Sequence, residues 1–402
     1  MADPTAGTSR LERMPDRLRA LMAQPYPAFS PGEMQRRRAA TEAAMADRGI
    51  THLLIHGFRR VGTASQWLTG WPTTNEVIVL VTPGEVLKVF VQHYNHLPQA
   101  RKIAEGCDVV YGGVSTLATA LDELDRRDAG RLGLLGSFDL DEHDLLRSRC
   151  SDVVNFGQEY SRLRLVKSEE ERDWMRLGAV LTDMAIDGLE QDFRLGMTEY
   201  ELSDIVERPY LRHGGGHVVH FFGATEMADP SCCVPRQFPS SRRVSGGDVL
   251  FTEISTHFWF YSGQVLRTYT VAAEAPPLYQ DLHSTAEAAF DGVCSVLRHG
   301  TTPAEVIAAA SVIEDAGFTI FDDLIHGYGG GYFPPVLGSK SRMNAPLPDL
   351  VLEEGMFIVV QPNVITRDAR AGVQVGEMVM ITHDGVERFH DVARGLRRLD
   401  AS

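Results

Sequence analysis

Cysteine is scarce, with five in 402 residues: Cys107, Cys150, Cys232, Cys233 and Cys294. An odd, scattered set builds no disulfide framework, and without a CxxC pair there is no zinc or redox motif. Positive charge is also short. The 39 Lys and Arg against 54 Asp and Glu leave a formal net charge of −15, which argues against a nucleic-acid partner, since phosphate binding needs clustered Lys and Arg. The run Arg36-Arg37-Arg38 is the exception, and it reads as the solvated face of a helix. No apolar run is long enough to span a bilayer, and the polar, Arg-rich beginning carries no apolar signal core. A cytoplasmic protein with no membrane partner is the expectation.

What is present is a globular composition, 44% hydrophobic and 23% charged, over a length that suits two domains. Residues 1–30 read as an arm with one short helix. Residues 31–160 read as a small α/β domain. Ser30-Pro31-Gly32-Glu33 opens its first helix, with an N-cap, Pro at the first position and Glu three on. Strand-like segments follow at Thr51–His56, Glu76–Thr82 and Val86–His93, with a short helix at Ala64–Thr69. Residues 157–166 read as the crossover to a second domain, 161–402. There Ser168 and Glu171 form a capping box, and Trp174, Leu177, Leu181, Met184 and Gly188 share one helical face. A further helix begins at Thr198. Strands are expected near 217–223, 248–256 and 265–273, helices at 278–298 and 303–315, and mostly strand from Gly355 to Thr382. Two helix pairs, each followed by strands, suggest an internally duplicated α+β domain.

Six landmarks then fall in order: Val166-Lys167-Ser168-Glu169-Glu170-Glu171, Gly247-Asp248-Val249-Leu250, Tyr261 with Leu266-Arg267-Thr268, His326-Gly327-Tyr328-Gly329, Glu354-Gly355-Met356 with Gln361-Pro362, and Val379 to Gly385. In these the chain resembles the creatinase, aminopeptidase P, prolidase and methionine aminopeptidase superfamily. The resemblance implies an α+β, pita-bread C-terminal domain behind a smaller creatinase-type N-terminal domain, and a homodimer. It also implies two metal ions held by two Asp, one His and two Glu. Those five positions hold Glu253, Gln264, His326, Gln361 and Gly376, with Glu377 next to the last. Two amides and a glycine remove the negative oxygens that hard cations need. A single ion on Glu253, His326 and Glu377 stays open as an alternative.

The site pattern is similar to the creatinase and ectoine hydrolase branches, and it matches neither. The reading is therefore a metal-independent hydrolase of a C–N bond (an amidine, amide or cyclic amidine) in a small, polar, non-peptide substrate, with no cofactor. His326, Glu253 and Glu377 are the catalytic candidates. His326 suits a proton shuttle, and Glu253 a nucleophile, base or anchor, with an ion pair to Arg267 as the plain alternative. Gln264, Gln361, Tyr261, Tyr328, Arg267 and His220 are the substrate-binding candidates; the tyrosines serve equally well in the core, and Arg267 more often organises structure in this fold than touches substrate. Cys232-Cys233 reads as a pair of small apolar residues. The alternatives are a metal-dependent Xaa-Pro peptidase or dipeptidase with an aberrant site, and a non-catalytic binding protein of the same fold. A lyase ranks last.

Overall fold

The computed structural model describes residues 10–58, 63–127, 130–343 and 345–400. The chain divides into two compact units. One is Gln24–Arg164; the other joins the residues up to Ala23 to those from Leu165 onward.

In the smaller unit Ser30 caps the helix Pro31–Asp47, its side chain accepting the Glu33 N–H at 3.1 Å. The mixed sheet contains β1 (His52–Gly57), β2 (Val77–Val81), β3 (Lys88–Val91), β4 (Asp108–Tyr111), β5 (Leu132–Leu135) and β6 (Val153–Asn155), in the order β4-β3-β2-β1-β5-β6. Its central strands are covered on both faces. Leu53, Ile55, Val77 and Val79 enter one core, and their neighbours Leu54, Ile78 and Leu80 another. That is why β2 reads as the unbroken apolar run VIVLV instead of alternating.

Two expectations are corrected here. Arg37 is not solvated; it is buried, with Nε on Glu33 Oε1 at 2.7 Å, Nη1 on the Trp67 carbonyl at 3.0 Å and its guanidinium over the Phe29 ring. The (i, i+4) acid supplies the charge that makes this burial tolerable. Residues 157–166, expected as a connection, form the helix Gly157–Leu165.

In the larger unit the helix Glu169–Asp192 begins at a full Ser168/Glu171 capping box. Trp174, Leu177, Leu181 and Gly188 are buried, and Met184 is half-buried. Thr198 and Glu201 cap the next helix, Glu199–Leu211, in the same way. The large sheet contains β7 (Gly215–Glu226), β8 (Asp248–Phe258), β9 (Tyr261–Ser262), β10 (Val265–Val271), β12 (Ile325–Tyr328), β13 (Tyr332–Leu337), β14 (Phe357–Val360) and β16 (Gly376–Ile381). The strands β11 (Thr319–Ile320) and β15 (Val364–Ile365) pair separately. The main order is β13-β12-β14-β16-β10-β8-β7, with β9 on β8. The helix Pro277–Val296 packs Leu282, Ala286, Phe290 and Val293 into one core with Ile325, Ile358, Val360 and Val379. The helix expected over 303–315 breaks into Pro303–Ala309 and Val312–Asp315. Among the described residues no helix is long and apolar enough to cross a membrane.

Candidate functional site

Antiparallel register decides which side chains can meet, because residues directly opposite one another point to the same face. Glu253 on β8 stands opposite Leu266 on β10, which stands opposite Gly376 on β16. One residue along, Ile254, Val265, Glu377 and Val360 form the next row. This second row belongs to the helix-covered face, where Thr256 Oγ1 meets Thr182 of the helix Glu169–Asp192 at 3.0 Å. His326 stands opposite Val359, and Val359 opposite Met378, two residues from Gly376. His326 therefore shares the face of Glu253.

On that face four polar side chains gather, three of them joined by hydrogen bonds through Gln264. Gln264 Nε2 donates to Glu253 Oε1 at 2.8 Å and to Gln361 Oε1 at 3.4 Å. Gln361 lies beside His326, close enough for its side chain to favour the protonated imidazole. His326 Nδ1 lies 3.2 Å from the Gly327 carbonyl, which accepts, so the ring proton belongs on Nδ1 and Nε2 keeps its lone pair. Gln264, His326 and Gln361 are each almost fully buried, while Glu253 retains some exposure. Burial first, and the charge of Asp322 second, push the Glu253 carboxyl up to about 8. Burial pulls His326 down to about 4, against the opposing influence of the Gly327 carbonyl and the Gln361 side chain. At neutral pH the group is thus a carboxylic acid, two amides and a neutral imidazole.

Tyr328 joins this face, its hydroxyl bonded to Ser255 on β8. Tyr332, which the sequence did not single out, stacks its ring on His326 with centroids 4.1 Å apart and donates its hydroxyl proton to Asp323. A second omission is the pair Asp183 and His390. His390 Nδ1 meets Asp183 Oδ1 at 2.6 Å, and its Nε2 faces the Gln264 backbone N–H at 3.3 Å, fixing where Gln264 begins. An aspartate among the apolar positions of the helix Glu169–Asp192 was the available signal.

The other candidates lie on the helix-covered face. Glu377 is fully buried, with Oε2 on Arg267 Nη2 at 2.9 Å and Oε1 on Arg388 Nε at 2.6 Å. Burial alone would raise its pKa, but the two guanidiniums outweigh it and hold the group below the usual range. It is an anchored anion and not a free base. Arg267 also donates to the carbonyls of Gly376 and Ala393, at 2.8 and 3.0 Å. Tyr261 gives its hydroxyl to the capping Glu171 at 2.7 Å and packs on Trp174. His220 stands opposite Ile254, also away from Glu253.

Residues 173–383 of the 402 match the model of metallopeptidase family M24. The chain belongs to that family. An Xaa-Pro dipeptidase of Pyrococcus furiosus is 23% identical over 66% of this chain and 75% of its own length. An uncharacterised peptidase of Bacillus subtilis, YqhT, is 23% identical over 84% and 92%. Among solved structures, an Xaa-Pro dipeptidase from Bacillus anthracis superposes with a TM-score of 0.79 at 18% identity, covering 91% of this chain and all of that one. An X-Pro aminopeptidase from Thermotoga maritima gives 0.77 at 18% identity, covering 90% and 99%. The fold is thus the pita-bread fold with a smaller N-terminal domain. These relatives overturn the reading of a metal-independent hydrolase of a small non-peptide substrate: the family is one of metallopeptidases, the relatives named here are peptidases, two of them Xaa-Pro dipeptidases and one an X-Pro aminopeptidase, and the creatinase and ectoine hydrolase branches gain no support from them.

The residues present nevertheless do not fit a two-ion cluster. The Glu253 face supplies one carboxyl that is protonated at neutral pH, one imidazole and two amides already engaged with each other. Glu377 is on the wrong face and is neutralised by two arginines. The position before it has also closed: a Cβ on Gly376 would sit 2.4 Å from the Val360 carbonyl oxygen and 2.9 Å from Gln361 Cα. Gly376→Ala is accordingly expected to lower stability by about 1–3 kcal/mol through overpacking, measured by urea denaturation; an unchanged midpoint would show that β14 and β16 part easily.

Proposed function

We propose that the Glu253, Gln264, His326 and Gln361 cluster binds a dipeptide-sized substrate and hydrolyses its amide bond, with dipeptides carrying proline second as the first class to test. The observation that carries this reading is the convergence of a carboxyl of pKa about 8 and an unprotonated imidazole nitrogen on one sheet face. The names of the relatives support the substrate class. A carboxyl poised near the working pH can both take and return a proton. Ionised Glu253 removes a proton from water as the oxygen bonds to the carbonyl carbon. The resulting acid then gives that proton to the nitrogen as the C–N bond breaks, so Glu253 ends as it began. Gln264, Gln361 and His326 orient the substrate through hydrogen bonds, and Tyr332 holds the imidazole plane.

The test is hydrolysis of a panel of Xaa-Pro and other dipeptides by the full chain, with and without added divalent ions. Cleavage that His326→Ala lowers by about 10²-fold, the cost of lost positioning, is expected. The lost ligand set favours one second reading, a peptide-binding protein that does no chemistry. Saturable dipeptide binding without cleavage under either condition would establish that reading and reject the hydrolase.

A further inference from the structure

Behind the sheet, on the face away from Glu253, the turn joining the helix Glu199–Leu211 to β7 brings together three side chains that the cluster above does not use. Glu207 comes from the last turns of the helix, and His217 and His220 from the edge strand β7. His217 Nδ1 lies 3.1 Å and His220 Nδ1 3.4 Å from the same oxygen, Glu207 Oε1. The two imidazole rings are 4.2 Å apart, and one donor atom from each residue falls within 4.8 Å of the others.

We propose that Glu207, His217 and His220 form a mononuclear site for a zinc-class divalent ion. Three observations carry it. The donor set, two imidazoles and a carboxylate, is one that tetrahedral zinc sites use with a fourth position open. The spacing fits: ligands about 2.0–2.1 Å from a tetrahedral ion are roughly 3.3–3.4 Å from each other, close to the 3.1 and 3.4 Å found here. His220 is 2% exposed, and its Nδ1, aimed at Glu207, makes no hydrogen bond of good geometry. A buried nitrogen left in that state is what an ion would satisfy. The far nitrogen of His220 faces the Tyr210 hydroxyl at 3.4 Å, the outer contact that fixes which nitrogen of a ligating histidine is free to bind metal. His217 is half exposed and leaves the open position facing solvent. The bound ion would fasten the helix to the sheet's edge strand. This site is independent of the peptide-hydrolysis proposal, since it lies on the opposite face.

The experiment uses the full-length, tag-free protein, stripped with chelator, dialysed, and titrated with ZnCl2 by calorimetry and with CoCl2 by visible absorption. One equivalent is expected, with the d–d bands of four-coordinate Co2+. His217→Ala and Glu207→Gln change solvent-reached side chains, so both should fold. Each should weaken binding by more than about 100-fold, beyond what loss of an outer contact costs. Glu253→Gln should bind the ion as the natural chain does. Absence of uptake by the natural chain, binding unaltered in His217→Ala, or binding lost in Glu253→Gln would each overturn the proposal.

Discussion

Arg267→Ala is expected to destabilise the larger unit by about 3–5 kcal/mol, the cost of leaving a buried charge without its partner. The arginine is 3% exposed and bridges the Glu377 carboxylate to the carbonyls of Gly376 and Ala393. Arg388 still reaches Glu377, but it is half exposed and holds only the other oxygen. Lysine would not rescue the position, because a single ammonium cannot reproduce the planar fork. Replacing both partners, Arg267→Met with Glu377→Met, should recover much of the loss. Urea denaturation checks this; a loss under about 1 kcal/mol for Arg267→Ala would mean that Arg388 alone suffices. The pH dependence follows from the lowered pKa of Glu377. Its contribution is complete above the ordinary carboxyl value and disappears as pH falls through the folded value. Acid denaturation should therefore begin at higher pH once Arg267 is gone.

Glu253→Gln should have the opposite effect on stability and a severe one on turnover. Glu253 is raised from an ordinary value of 4.5 to about 8, so the fold binds its proton more tightly than the unfolded chain does. The associated stability is full below the unfolded value and is lost as pH rises from there to about 8. Glutamine escapes that loss. Near pH 7 the variant is expected to gain on the order of 2 kcal/mol, a figure reduced for the part of Glu253 that water reaches, with little gain near pH 4. Thermal unfolding across that range tests it. Turnover on any dipeptide substrate should fall by about 10²–10⁴-fold. A variant less stable than the natural chain at pH 8 would mean that Glu253 is ionised and paired in the fold, and would remove its proton-carrying role.

Much of the architecture was legible in the sequence because it rests on local rules. Ser168 with Glu171 and Thr198 with Glu201 announce two helices, and Ser30-Pro31 a third. The four-residue cluster was within reach because the resemblance gives four of its five ligand positions to Glu253, Gln264, His326 and Gln361. The face on which Glu377 lies could not. It is one residue from the position at which the resemblance implies a ligand, and in a strand one residue reverses the direction of a side chain. Only the pairing of Glu377 with Val265 and Val360 places it opposite to Glu253. Arg37 misled for a related reason: three consecutive arginines look alike in sequence, yet only the second points inward toward Trp67. Asp183 and His390 stand 207 positions apart, beyond the reach of any periodicity.

The closure over Gly376 limits what that position can hold. The Val360 carbonyl oxygen stands in the space a side chain would need, so a carboxylate placed there by substitution has to push the strands apart. Gly376 thus works as a spacer: the side chain it lacks is what lets β14 and β16 pair closely beside the amide-lined cluster.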